Sequence, residues 1–264
     1  MVDEETLKKL KEKRIVVFMP AYNEEKNIGK VIESIPYFVD KTIVVDDCSQ
    51  DKTGEVAKEK GAIVVRHEKN SGSGAGYKTG FKTASKYNPD IVVLIHSDGQ
   101  HDPEDIIHVV KPILEGEAEY ILGGRIEDMF KNMPVQRYIG NKVLSLMWSL
   151  GTGYWLKDAL TGFHAISGEA LKKLNIDRWA DDFLVETNML EDVVLNDIKI
   201  KEVPISCVNS EHAVSVVKPF KDGPAYFFAS FGAIFRRIKK KVGFDVKIPD
   251  KSYRIWKTRK PSKF

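Results

Sequence analysis

Five short apolar runs rich in β-branched residues punctuate the first half of the chain, at Ile15–Met19, Thr42–Asp46, Ala62–Arg66, Ile91–Ile95 and Tyr120–Leu122. Between them apolar positions recur every three or four residues, near Glu24–Ser34, Lys52–Lys60, Gly74–Tyr87 and Pro103–Leu114. Asp102 before Pro103 supplies the N-cap and first-turn pairing expected at a helix start. Runs of strand length alternating with helices predict right-handed βαβ units, hence an α/β fold with a mostly parallel sheet flanked by helices. After Gly124 the rhythm changes. A long helix is expected over Pro134–Leu150, followed by the loop GTGYWLKDALTGFH, a helix over Phe183–Asn196 and a strand over Ile200–Pro204. From Ala225 onward Phe227, Phe228, Phe231, Ile234, Phe235 and Ile238 fall on one helical stripe, flanked by Arg236, Arg237, Lys239, Lys240 and Lys241. No Ser/Gly/Pro-rich linker and no repeat interrupts the chain, so one domain with a C-terminal appendage is the economical reading.

Charge changes this picture at one end. The 264 residues carry a net charge of +3, but residues 224–264 hold twelve Lys/Arg against two Asp/Glu, which is +10 there and −7 in the body. A strongly basic, apolar-striped tail on an acidic body predicts contact with an anionic membrane surface. The alternative is a helix packed on the domain with its basic end solvated. A nucleic-acid binder fits only the tail. Two cysteines, Cys48 and Cys207, build no disulfide framework and point to a reducing compartment. The charged first fourteen residues do not resemble a signal peptide, and no apolar run reaches the ~18 residues that cross a bilayer. The expectation is a cytoplasmic protein, peripheral on the cytoplasmic face of the membrane.

In an open parallel sheet ligands bind beyond the carboxyl ends of the strands. Here those ends read Pro20-Ala-Tyr22-Asn-Glu24, Asp46-Asp47-Cys-Ser and His96-Ser97-Asp98-Gly-Gln100-His, three clusters of carboxylates and amides on one predicted edge. Two common nucleotide sites are absent: no G-x-G-x-x-G follows the first strand, and there is no G-x-x-x-x-G-K-[ST]. The Gly-rich stretch Ser71–Gly80 follows the third strand and reads equally as a helix-opening loop or a phosphate contact.

PAYNEEKNI, VVDDCSQDKT, GSGAGYKTGF, SDGQHDPEDI, GGR, TGFHAISGEAL and FLVETNML followed by IKIKEVPIS stand in the order seen in family 2 glycosyltransferases. Over about residues 14–223 the chain resembles the dolichyl-phosphate mannose or glucose synthase group in particular. The resemblance implies a GT-A fold, with a nucleotide-sugar half at about 14–124, an acceptor half at about 125–223 and the basic tail at 224–264. It implies that Pro20, Tyr22 and Glu24 line the nucleotide pocket, that Asp46 or Asp47 grips the base or ribose, and that Lys78 lies near, with Ser97 in the same donor site. Asp98 and Gln100 would hold Mg²⁺ or Mn²⁺ on the diphosphate, an oxygen-ligand arrangement that suits hard cations. The family motif usually begins with an acid where this chain has His96, leaving three roles open: metal ligand, donor contact or strand cap.

Arg125 and Arg137 match positions that hold a lipid phosphate, a task for which the planar guanidinium is suited. Asn141 and His164 depart from the group's usual residues, a small hydroxyl and an arginine, while Lys218 and Lys221 resemble a late basic loop closing over the donor. The implied activity is inverting transfer of a hexose from a GDP- or UDP-sugar to a polyprenyl or dolichyl phosphate, with no nucleic acid involved. A hydroxyl acceptor would instead need a base, for which Asp182, beside Asp181, is the candidate. A non-catalytic nucleotide-sugar or lipid-binding relative is the remaining reading.

Overall fold

The computed structural model describes residues 3–126, 135–206, 219–244 and 246. Seven strands form one sheet in the order β3-β2-β1-β4-β6-β5-β7, with β1 Ile15–Ala21, β2 Lys41–Asp46, β3 Ile63–Arg66, β4 Ile91–Leu94, β5 Tyr120–Gly124, β6 His164–Ser167 and β7 Ile200–Pro204. All neighbouring pairs are parallel except those of β6, which runs antiparallel to both β4 and β5. The mostly parallel α/β sheet is therefore as expected, and each predicted strand is present within a residue or two at its ends. β6 was not anticipated. Its four residues, beginning at the last residue of the expected loop, are too few to show a period.

The helices are α1 Glu4–Glu12, α2 Ile28–Glu33, α3 Thr53–Glu59, α4 Ser73–Ser85, α5 Ile106–Leu114, α6 Val135–Thr152, α7 Gly168–Lys172, α8 Val185–Leu195 and α9 Pro219–Lys241. Asp102 caps the turn at Pro103–Asp105 by accepting the Glu104 amide, as its sequence promised. α1 was not foreseen in the charged start of the chain, where Thr6 and Leu10 are buried, Leu7 is partly buried and the Asp3 carboxylate caps the Thr6 amide at 2.8 Å.

Alternation along β1 divides the core. Val16 and Phe18 pack with α4, α6 and α8, while Ile15, Val17 and Met19 pack with α1, α2, α3 and α5. Both faces of the central strands are covered, which is why every residue of β1 is buried. α4 lies unusually close to β1. A Cβ at Gly80 would fall 2.0 Å from the Phe18 ring, and one at Gly76 would be 3.0 Å from Pro20 Cβ.

α9 begins at Pro219, so the boundary drawn at 223/224 falls inside a helix. Its inner face is packed on α6 and α8. Ala229, Ser230 and Ala233 are buried, and Trp148 Nε1 donates to Ser230 Oγ at 3.0 Å. Three cations of its basic flank point into the domain: Arg236 pairs with Glu191, Arg237 donates to the Gly151 carbonyl and Lys240 to that of Leu195. The rest of the basic tail beyond Phe244, apart from Val246, lies outside the described residues.

Replacing Gly80 by Ala should cost about 1–3 kcal/mol in urea denaturation, because Phe18 is walled in and cannot yield. The same change at Gly140 of α6, which has nothing within 4 Å, should be neutral or stabilise by up to about 1 kcal/mol.

Candidate active site

The loops after β1, β2 and β4 meet at one edge of the sheet and are stitched to one another. Asn23 sits at φ 59°; its amide donates to Ser49 Oγ at 3.0 Å, and its side-chain oxygen accepts the Gln50 amide at 2.7 Å. The Glu24 amide donates to Thr53 Oγ1 at 2.7 Å. Ser97 Oγ donates to the Pro20 carbonyl at 2.7 Å, joining the β4 loop to the end of β1. Pro20 and Tyr22 are buried beside this seam.

The two acids ending β2 lie beneath this edge. Asp46 and Asp47 are both 0% exposed. Asp46 accepts the Ser49 amide at 2.8 Å and pairs with Arg66 at 2.5 Å. Asp47 accepts the Ser71 and Gly72 amides, each at 2.8 Å for the shorter contact, and meets His67 Nδ1 at 2.7 Å. The Gly-rich stretch thus has a use the sequence did not reveal: its first amides bind a protein carboxylate, and its later glycines let α4 approach. Gly74 abuts the Ala180 carbonyl, 2.2 Å from where a Cβ would stand. Lys78 is drawn to the same segment, pairing with Asp181 and donating to the Trp179 carbonyl at 3.2 Å.

The β4 end carries Asp98, whose Oδ1 accepts the Gln100 amide at 3.0 Å across Gly99 at φ 73°. Glu24 lies within the electrostatic reach of Asp98. Burial and then the Asp98 charge push its carboxyl above the usual range, against the pull of its bond from Asn27. Carboxylate and amide oxygens of the kind these residues carry are what a hard divalent cation takes. Among the described residues no three His, Cys, Asp or Glu side chains close a metal cage, so ligand oxygens would complete the shell.

Just after β5, Arg125 is fixed by Asp158 through two side-chain contacts, Nε to Oδ2 at 2.7 Å and a terminal nitrogen to Oδ1 at 2.9 Å. Asn141 of α6 donates to the same carboxylate at 2.8 Å. Asp158 is 0% exposed; burial works to raise its pKa, but Arg125 and these hydrogen bonds outweigh it and hold it ionised. The side chain of Arg137 lies outside what is described, as do Lys218, the side chain of Lys221 and Cys207. Asp182 accepts the Leu184 amide at 3.0 Å, which starts α8 later than the periodicity suggests. His164 is buried on β6 with Nδ1 2.8 Å from the Tyr120 hydroxyl, beneath the site and not at its surface.

Three residues were missed in the sequence. Asp158 sat in an unpatterned loop. Tyr77 and Glu186 looked like ordinary helix positions, yet Tyr77 OH lies 2.7 Å from His96 Nε2 and also interacts with the Glu186 carboxyl. Burial pushes Glu186 up to about 8, with Asp158 adding to the rise and Arg125 and Tyr77 opposing it. No single-sequence signal separates such a glutamate from a solvated one, because its burial depends on α4 and β4. The folded protein holds this proton more tightly than the unfolded chain, so the Glu186 contribution to stability is present below about pH 4.5 and is lost as pH rises towards about 8. Glu186→Gln should flatten the stability profile in that window, removing a slope of at most about 1.4 kcal/mol per pH unit in chemical denaturation.

The comparisons agree with this geometry. The profile described as Glycosyl transferase family 2 matches residues 16–174. The UDP-N-acetylglucosamine–dolichyl-phosphate N-acetylglucosaminyltransferase of Methanococcus voltae is 35% identical over 77% of this chain and 89% of its own length. The polyprenol monophosphomannose synthase of Mycolicibacterium smegmatis is 24% identical over 76% of this chain and 80% of its own. Among solved structures, glucosyl-3-phosphoglycerate synthase of Mycobacterium tuberculosis in complex with Mn²⁺, UDP-glucose and phosphoglyceric acid superposes with a TM-score of 0.65 at 25% identity, covering 90% of this chain and 85% of that one. A mostly parallel mixed sheet with acids at its strand ends, together with these matches, places the chain in glycosyltransferase family 2 with a GT-A fold, and it is an enzyme that transfers sugar.

Proposed function

We propose that the chain moves a sugar from a uridine diphosphate donor to a polyprenyl or dolichyl phosphate. The observation that carries the lipid acceptor is a double apolar face on two packed helices, one of which also holds the partner of Arg125. On α6, Val135, Ile139, Val143, Leu146 and Leu150 follow one stripe and are 49–77% exposed. On α9, packed beside it, Phe228, Phe231, Phe235 and Ile238 are 51–57% exposed. α6 also carries Asn141, which holds Asp158 and through it Arg125. One helix thus links an exposed apolar surface to a guanidinium suited to phosphate. No helix among the described residues is long and apolar enough to cross a membrane, so this face would lie in the interface, peripheral on the cytoplasmic side. Support for uridine over guanosine comes from the Methanococcus voltae relative and the mycobacterial structure, both named with UDP sugars.

In this reading residues 14–124 form the donor half and 125–223 the acceptor half. Pro20, Tyr22 and Glu24 line the nucleotide pocket, while Asp46 and Asp47 hold the loops that shape it. Lys218 and Arg137, whose side chains lie outside the described residues, keep the roles the resemblance implies, at the donor and at the acceptor phosphate. Mg²⁺ or Mn²⁺ held by Asp98 and Gln100, with Glu24 alongside, would neutralise the charge leaving on the diphosphate. A phosphate acceptor is already largely dianionic at pH 7 and needs no base. Its oxygen attacks the anomeric carbon in line, the bond to the nucleoside diphosphate breaks with its electron pair, and the configuration inverts. A second reading, transfer to a hydroxyl of a small phosphorylated acceptor with Asp182 as base, draws on the phosphoglyceric acid complex of the mycobacterial structure.

Incubation with UDP sugars, Mn²⁺ and polyprenyl phosphate should yield a glycolipid of inverted anomeric configuration. Product on phosphoglycerate alone would favour the second reading, and a retained configuration would overturn the mechanism. Asp98→Asn should lower turnover by roughly 100-fold or more, at the scale of losing electrostatic stabilisation of a leaving group. Paired substitution of Phe231 and Ile139 by Glu should release the protein from anionic vesicles in a flotation assay; unchanged binding would remove the membrane face.

A further inference from the structure

His96 occupies the position where a carboxylate would complete an acidic pair with Asp98, and its surroundings decide what it offers instead. The ring is clamped on two sides. Gly162 lies against it so closely that a Cβ there would stand 2.2 Å from Cε1 and 2.6 Å from Nδ1. On the other side Tyr77 OH meets Nε2 at 2.7 Å. Tyr77 itself is 1% exposed and cannot swing away, because α4 is laid against the sheet by Gly76 and Gly80. His96 is half-buried and its Nδ1 makes no hydrogen bond to any described residue, whereas His101 and His164 are buried.

A phenol and an imidazole can share one proton in two ways. The phenolic O–H is far the stronger acid of the two neutral donors, so it donates and the Nε2 lone pair accepts. The bond at one ring nitrogen sets the state of the other. With Nε2 filled, the proton of the neutral ring sits on Nδ1.

We propose that Tyr77 holds His96 in the Nδ1–H tautomer, which removes this position from metal coordination and turns it into a hydrogen-bond donor for an oxygen of the diphospho-sugar. Neither ring nitrogen then has a lone pair for a cation: Nε2 is engaged and Nδ1 carries the proton. The metal site reduces to Asp98, Gln100 and Glu24, and a cation binds firmly only when diphosphate oxygens complete its shell. The donor loses one anionic neighbour and gains a neutral N–H. The part concerning the diphospho-sugar rests on the proposed function; the tautomer and the metal exclusion do not.

Long-range ¹H–¹⁵N spectra of the histidine-labelled protein, with His96 assigned through His96→Gln, report which nitrogen carries the proton. A protonated Nδ1 that reverts towards Nε2 in Tyr77→Phe is the expected result. A proton on Nε2 in the unaltered protein would overturn the assignment. Mn²⁺ binding followed by electron paramagnetic resonance gives a second reading that does not depend on turnover. His96→Ala should leave affinity for Mn²⁺ alone within about twofold, while His96→Asp should tighten it about tenfold or more, at the scale of adding a charged ligand. A comparable loss of Mn²⁺ in His96→Ala would show that His96 is a ligand after all. UDP-sugar affinity in His96→Ala should fall roughly tenfold, the worth of one hydrogen bond to a charged oxygen. A UDP sugar that binds equally well to both would refute the donor contact. A protein that binds no UDP sugar at all would defeat the proposed function instead, with the spectra and the Mn²⁺ titration still deciding the tautomer and the metal exclusion.

Discussion

The close approach of α4 to β1 is the constraint on which the site depends. Backbone meets side chain there with no room for a Cβ at Gly80, and α4 also abuts the 180–182 segment at Gly74. This approach carries Tyr77 under the end of β4, where its hydroxyl meets His96. It also draws the Ser71 and Gly72 amides onto Asp47, so that a carboxylate at the end of β2 organises a loop two elements away. A single larger residue on the inner face of α4 would move the loop, the tyrosine and the histidine together. Packed interiors transmit such displacements because they have few voids to absorb them.

Opposite this helix, the acceptor side is organised by buried charge. Asp158 is completely enclosed and would be costly alone. It is stabilised by Arg125 and Asn141. The arrangement orients the guanidinium in advance, so that little rotamer entropy is left to lose when an anion binds. Glu186 lies in the field of the same pair but without a counter-charge of its own, and it resolves the conflict by keeping its proton. Two acids in one region thus take opposite protonation states for a reason visible in their partners.

α9 shows how one element can serve two surroundings. Its inner face is bound to α6 and α8 through Ser230, Arg236, Arg237 and Lys240, while its outer face presents aromatic residues. Cations that look in sequence like a flank for anionic lipid are partly spent on the domain. Lys239 stays outside, over the Phe235 ring at 4.8 Å.

Much of this was legible in the chain. Continuous β-branched apolar runs located the strands of the parallel core and the 3.6-residue period their helices, because a strand covered on both faces is apolar throughout while a helix buries one stripe. The strand-end acids and Asp98 stood out for the same reason: the carboxyl edge of a parallel sheet is where polar residues have a ligand to meet. What tertiary structure alone decided is the use of each polar group. β6 is too short to leave a period, and its antiparallel pairing joins residues far apart in sequence, from Leu94 to His164. Asp46 and Asp47 turned out to be buried supports, Lys78 a strut to Asp181, and Asp158, Tyr77 and Glu186 part of the site's framework. A side chain's type shows what it can bond, but its burial and partners come from segments distant in sequence, and those set its charge and its proton.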